Sequence, residues 1–229
     1  MLEQLRADVC QANIELVKHG LVVLTWGNVS GLDRNSGLIV IKPSGVEYER
    51  MTPDDMVVVN LKGEVVEGKK RPSSDTPTHI ELYKAFPRIG GLTHTHSTNA
   101  TAFAQASKEI PCLGTTHADH FAGPVPVTRF LTESESEADY ELNTGAVIVE
   151  KFREYDYETI PAVLVAGHGP FCWGKTPSDS VKNGVILERV AEMALKTLSL
   201  NPRVEDLPEH IMKKHYRRKH GKDAYYGQE

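Results

Sequence analysis

A single α/β domain is what this sequence predicts, on three observations. Apolar residues recur at helical spacing near both ends of the chain, short β-branched runs bounded by glycine and polar clusters lie between them, and no compositional break divides the 229 residues. Hydrophobic residues make up 40% and charged residues 25%, which gives the chain enough apolar material for a core and excludes a disordered or fibrous class. With Lys+Arg 26 against Asp+Glu 31, the net charge of −5 offers no global attraction to nucleic acid or an anionic membrane, so any anionic ligand must be met locally. Cys10, Cys112 and Cys172 are scattered without a C-x-x-C pair, which indicates neither a disulfide framework nor a thiolate zinc site and fits a reducing cytosol. The first six residues lack the apolar core of a signal peptide and no run of ~18 apolar residues occurs, so a cytoplasmic protein with no membrane span is expected.

Taken in order, Leu2, Leu5, Val9, Ala12 and Leu16 form the stripe of an amphipathic helix that Gly20 is placed to end. Residues 21–25 read as a buried strand running into Trp26-Gly27-Asn28-Val29-Ser30, where glycine beside polar residues lets backbone approach a ligand or simply makes a turn. A second strand over 38–41 delivers Lys42-Pro43-Ser44-Gly45, an ammonium and a hydroxyl-bearing turn that would suit a phosphate or stand as solvated loop. Thr52-Pro53 opens a short helical turn before a strand at 56–59 and a hairpin through Lys62-Gly63. Ser73, Ser74 and Asp75 crowd the entry to a helix over 78–86, where exposed N–H groups could bind an anion and where the same residues are also ordinary caps.

A helical stretch covers about 99–107, and the loop-like Gly114-Thr115-Thr116-His117-Ala118-Asp119-His120 concentrates reactive side chains. Residues 131–140 read as an exposed acidic connection. A buried strand over 160–167 ends in His168 between glycines, and Thr176-Pro177 caps a broadly apolar helix through Leu198. The last helix, about 208–219 and stopped by Gly221, carries five cationic side chains; His215 and Arg218 share a face that could clamp an anion or be merely solvated.

The chemistry converges on His94-Thr95-His96. Alternation along an extended strand puts the two imidazoles on one face, and His168 at the end of another strand adds a third, a set that suits Zn²⁺ or another divalent ion such as Mn²⁺ with one position open. Asp75, in a polar helix entry, is the best candidate for a carboxylate ligand. A cupin-type site would need a Glu shortly after the pair, yet Ser97-Thr98-Asn99-Ala100 follows His96.

Seven stretches then carry a resemblance. They are Thr25-Trp26-Gly27-Asn28-Val29-Ser30, Ile41-Lys42-Pro43-Ser44-Gly45, Pro72-Ser73-Ser74-Asp75-Thr76-Pro77-Thr78-His79, His94-Thr95-His96, Gly114 to Asp119, Gly167-His168-Gly169-Pro170-Phe171 and residues 215–228. On these the chain closely resembles the L-ribulose-5-phosphate 4-epimerases of the class II aldolase and adducin-head family, nearly end to end. The resemblance implies one three-layer α/β/α domain over 1–229 with a central, largely antiparallel sheet, assembled as a cyclic homotetramer with intersubunit active sites. It implies metal ligands at Asp75, His94, His96 and His168, acid/base residues at Asp119 and Tyr226, and substrate contacts at Gly27, Asn28, Ser44, Gly45, Ser73 and Ser74. Lys42, Thr116, His215 and Arg218 stand in the same stretches and join the candidate substrate contacts.

The implied reaction interconverts L-ribulose 5-phosphate and D-xylulose 5-phosphate by retro-aldol cleavage of C3–C4, with the ion stabilising the enediolate while glycolaldehyde phosphate turns its other face for re-addition. Fuculose- and rhamnulose-phosphate aldolases resemble the chain at the histidines but use Glu where Asp75 stands, which favours an epimerase. The adducin-head reading, a non-enzymatic assembly protein, is disfavoured by retention of all three histidines.

Overall fold

The computed structural model describes residues 2–220 and 224–225. The first apolar stripe forms α1 (Glu3–Lys18), which turns Val9, Cys10, Ala12 and Leu16 inward and ends before Gly20 at φ +66°. Then come β1 (Asn28–Asp33), β2 (Leu38–Ile41), β3 (Val57–Asn60), β4 (Val65–Glu67), α2 (Thr76–Ala85), β5 (Gly91–His94), α3 (Thr98–Gln105) and α4 (Thr115–Ala118). The chain continues through α5 (Glu133–Ala138), α6 (Tyr140–Lys151), β6 (Ala162–Val165), β7 (Gly169–Gly174), α7 (Pro177–Leu200) and α8 (Glu209–His220). No helix among the described residues is long and apolar enough to cross a membrane.

The strands form one seven-stranded sheet in the order β4-β3-β2-β1-β5-β7-β6, and every neighbouring pair is antiparallel. Side-chain alternation along the strands separates its two faces. Ile39, Ile41, Val57 and Val59 pack against Ile80, Leu82 and Tyr83 of α2 and Ile148 of α6. Between them, Val40 and Val58 point the other way, onto Val9 and Cys10 of α1. On that second face Leu164 and Cys172 meet Phe103 of α3 and Leu187 and Val190 of α7. The expected helix-flanked α/β architecture with a central antiparallel sheet is therefore what the chain adopts.

Several local expectations need correction. Residues 21–25 form no strand: Leu21 is buried, but Val23 and Leu24 are exposed and Leu24 takes φ +55°, so the segment is a loop leading to β1. The strand lies further on, in the polar-looking Asn28–Asp33. The loop-like run before Asp119 contains the short α4, and the acidic connection contains α5, whose Thr132 cap and Glu135 satisfy each other's backbone N–H groups. The helix over 177–198 extends to Leu200 and is less buried than its composition suggested, with Met193 at 46% exposure. Gly221, expected to stop α8, lies outside the described residues.

Candidate metal centre

The last residue of β5 is His94, set in the ladder opposite Asn28 of β1 on one side and Phe171 of β7 on the other. Its ring stacks on Phe171 at 4.1 Å, and its Nδ1 donates to the Pro170 carbonyl at 2.9 Å. That bond fixes the tautomer and leaves Nε2 as the free lone pair. His96 lies two residues on, and the two Nε2 atoms approach to 3.1 Å. His168 comes from the turn between β6 and β7, which Gly167 opens at φ +72°; a Cβ there would meet the Phe130 ring at 2.7 Å.

One ring nitrogen from each of His94, His96 and His168 lies within 4.8 Å of the others. A tetrahedral ion with bonds of ~2.0–2.1 Å holds its ligand atoms about 3.3 Å apart, so the converging nitrogens fit a divalent metal. Partial desolvation and the neighbouring imidazole of His94 lower the pKa of His96, and burial with His94 and His96 pushes His168 down to about 4. Both rings are thus neutral near pH 7, the form that can donate a lone pair.

Asp75 stands beside the three histidines rather than within that 4.8 Å set. It caps α2, and its carboxylate accepts from Asn28 Nδ2 at 2.6 Å. Burial raises its pKa, but His94, His79 and the Asn28 bond outweigh burial and leave it below the usual carboxylate range. The same Asn28 amide donates to Ser73 Oγ at 3.0 Å. Gly27, at φ +78°, lets the chain pass the His94 carbonyl where a Cβ would sit 2.8 Å from it.

The two hydroxyl-bearing turns run side by side, with Ser44 N donating to Arg71 O at 2.9 Å and Ser73 N to Lys42 O at 3.0 Å. Ser44, Gly45 and Ser74 are exposed. Lys42 is not: its ammonium donates to the Thr25 carbonyl at 3.3 Å and lies 4.7 Å over the Tyr48 ring. Burial lowers its pKa to about 8 against the opposing pull of Asp75.

A second cluster gathers around Asp119. His215 Nδ1 lies 3.0 Å from one carboxylate oxygen, Arg218 donates to both oxygens at 2.9 and 2.7 Å, and Lys219 stands 3.7 Å away. Burial raises the Asp119 pKa, but the hydrogen bonds from Arg218 and His215 and the charges of Lys219 and Arg218 outweigh it and hold the carboxyl below its ordinary value. His220 donates to the Asp119 backbone carbonyl and lines a cavity with His120, Tyr216, Ile89 and Gly174. Gly174 ends β7, five residue steps of about 3.4 Å from Gly169 beside the histidines. The Asp119 cluster thus adjoins the opposite end of the sheet from the three imidazoles. Thr116 is exposed on α4 and lines a small cleft with Val190 and Thr197 of α7. Tyr226 lies outside the described residues.

Three exposed aromatic residues surround the histidines, and of these only Trp26 stands in a motif that the sequence singles out. The Tyr140 hydroxyl is 3.4 Å from His168 Nδ1, the Trp26 ring is 6.3 Å from His96, and Phe130 packs over Gly167. Tyr140 opens α6, a helix that periodicity did not reveal.

A family model described as the Class II Aldolase and Adducin N-terminal domain matches residues 7–195. An L-fuculose 1-phosphate aldolase structure is 25% identical and superposes with a TM-score of 0.79 over 94% of this chain and 95% of that one. YgbL from Klebsiella pneumoniae is 25% identical, with a TM-score of 0.73 over 93% and 99% of the two chains. The L-fuculose-1-phosphate aldolase from Thermus thermophilus is 27% identical, with a TM-score of 0.67 over 89% and 99%.

Proposed function

The chain belongs to the class II aldolase and adducin N-terminal domain family, and from that premise we propose that it is a metal-dependent sugar-phosphate enzyme, an L-ribulose-5-phosphate 4-epimerase. The observation that carries this reading is the convergence of His94, His96 and His168 beside two turns rich in hydroxyl and amide donors. Three imidazoles suit Zn²⁺, with Mn²⁺ as the alternative. A bound divalent ion supplies Lewis acidity for negative charge developing on sugar oxygens.

The chain's own residues bind, orient and move protons. Exposed Ser44, Gly45 and Ser74, with Ser73, hold the substrate phosphate by neutral donors and keep the two-carbon fragment in place after C3–C4 cleavage. Gly27 and Asn28 position the sugar against the histidines. Asp119 and Tyr226 serve as the two proton-handling groups: one accepts the C4 hydroxyl proton as the bond breaks, and the other returns a proton when it re-forms on the opposite face.

Asp119 adjoins the other end of the sheet, so in this reading it acts at the centre of a neighbouring copy, as in a cyclic homotetramer. Asp75, a carboxylate one methylene shorter than Glu and tied to Asn28, supports epimerisation over release of aldol products. The test is an assay of purified, metal-loaded protein on L-ribulose 5-phosphate. Formation of D-xylulose 5-phosphate without free glycolaldehyde phosphate is the expected result. Accumulation of free aldehyde would instead make the chain an aldolase, and full turnover in a metal-free preparation would overturn the reading.

A further inference from the structure

His79 belongs to a stretch singled out in the sequence, yet nothing in the proposed reaction uses it. It lies one turn after Asp75 on α2 and is completely buried. Asn28 and Ser30, two residues apart on β1, face the same way toward α2. They form two rungs: Asn28 to Asp75 at 2.6 Å, and Ser30 Oγ to His79 Nδ1 at 2.7 Å. Ser30 Oγ also lies 2.9 Å from the buried Tyr83 hydroxyl.

Proton counting fixes the tautomer. Ser30 Oγ is the hydrogen-bond partner of the Tyr83 hydroxyl, and a buried phenol without an acceptor is costly, so Tyr83 donates to Ser30. Ser30 then donates its single proton to His79 Nδ1, and the ring's own proton must sit on Nε2. That Nε2–H is buried and meets no hydrogen-bond acceptor among the described residues, and Asn28 Oδ1, in the neighbouring rung, is a buried acceptor with no donor among them. An orphaned buried donor and an orphaned buried acceptor on neighbouring rungs are what one ordered water reconciles.

We propose that His79 is a positioning residue for the metal centre: one ordered water accepts its Nε2–H and donates to Asn28 Oδ1, fixing the amide that holds Asp75. Asn28 cannot then swing away, and the carboxylate keeps its place beside the three imidazoles. The proposal rests on the metal-centre reading, so its test has one arm without an ion and one with.

In metal-free protein labelled with ¹⁵N-histidine, His79 should appear as the Nε2–H tautomer at neutral pH, and that proton should become exchange-labile in Asn28→Ala. An Nδ1–H tautomer, or a proton indifferent to Asn28, overturns the proposal. In Co²⁺ titrations His79→Phe should weaken binding by roughly 10–100-fold, while His79→Gln, which keeps an amide N–H near the same point, should lose only a few-fold. In an Asp75→Ala background His79→Phe should have no further effect. Equal losses for Phe and Gln, or an undiminished effect without the Asp75 carboxylate, would show a purely structural role. If wild-type protein takes up no Co²⁺, the metal reading fails, and the ion-free spectra still decide the role of His79.

Discussion

Among the three imidazoles, His96 is the exposed one while His94 is buried, which makes it the ligand that can be changed with least damage to the fold. His96→Asn should leave the circular dichroism spectrum unchanged while metal occupancy and turnover fall together. The loss should exceed the roughly 10–100-fold expected for a merely supporting residue. Full activity at vanishing occupancy would be incompatible with the scheme. Away from the centre, His117 is buried with its ring against the Gly123 carbonyl at 2.8 Å, and burial pushes its pKa from 6.5 down to about 4. Between those values the unfolded chain binds a proton that the folded chain refuses, so stability rises with pH through the window and is lost as pH falls from about 6.5 to about 4. The loss attributable to this ring is of order 2–3 kcal/mol, and the difference between wild type and His117→Gln in the stability change from pH 7 to pH 4.5, from urea midpoints of the metal-free proteins, would measure it. His117→Gln should flatten the slope.

At the level of elements, the entry to α7 docks directly on β5. A Cβ at Gly91 would stand 2.2 Å from the Thr176 carbonyl oxygen and 2.4 Å from Pro177 N, backbone atoms that cannot rotate away. Gly91→Ala should therefore destabilise by about 3 kcal/mol or more, a fall in Tm of roughly 6–12 °C by calorimetry. An unchanged Tm would mean that the α7 entry shifts freely. Sequence pattern located α1 and α7 from their apolar residues and α2 from its polar entry, missed α4, α5 and α6, and located β2, β3 and β6 because β-branched runs are distinctive. It failed at β1, whose Asn28, Ser30 and Gly31 resemble turn residues. These positions are buried because the polar groups find specific partners: Asn28 in Asp75, Ser30 in His79 and Tyr83. It failed also over 21–25, where an apolar run lies in a loop that a positive φ at Leu24 bends away from the sheet. The H-x-H pair was legible from spacing alone. The place of Asp75 outside the tight histidine set, and the burial of Lys42, depend on contacts from distant segments that no local pattern encodes.

On the scale of the whole molecule, the sheet separates two groups of chemistry, with imidazoles near Gly169 and the Asp119 cluster adjoining Gly174. If a working site combines the first group of one copy with the second group of its neighbour, His96→Asn and Asp119→Asn should complement each other. Each variant alone should be nearly inactive, whereas an equal mixture refolded together should recover up to about a quarter of wild-type activity, since that fraction of random junctions is intact on both sides. No recovery in verified mixed assemblies would place both groups in one chain. His94 is anchored by strand pairing and by the Pro170 carbonyl, and His168 by a glycine turn, so polypeptide contacts alone arrange these rings. Stripping with a chelator should consequently leave the far-ultraviolet spectrum intact. Replenishment should revive the catalyst within mixing time, as a rigid socket accepts a fresh plug without being rebuilt.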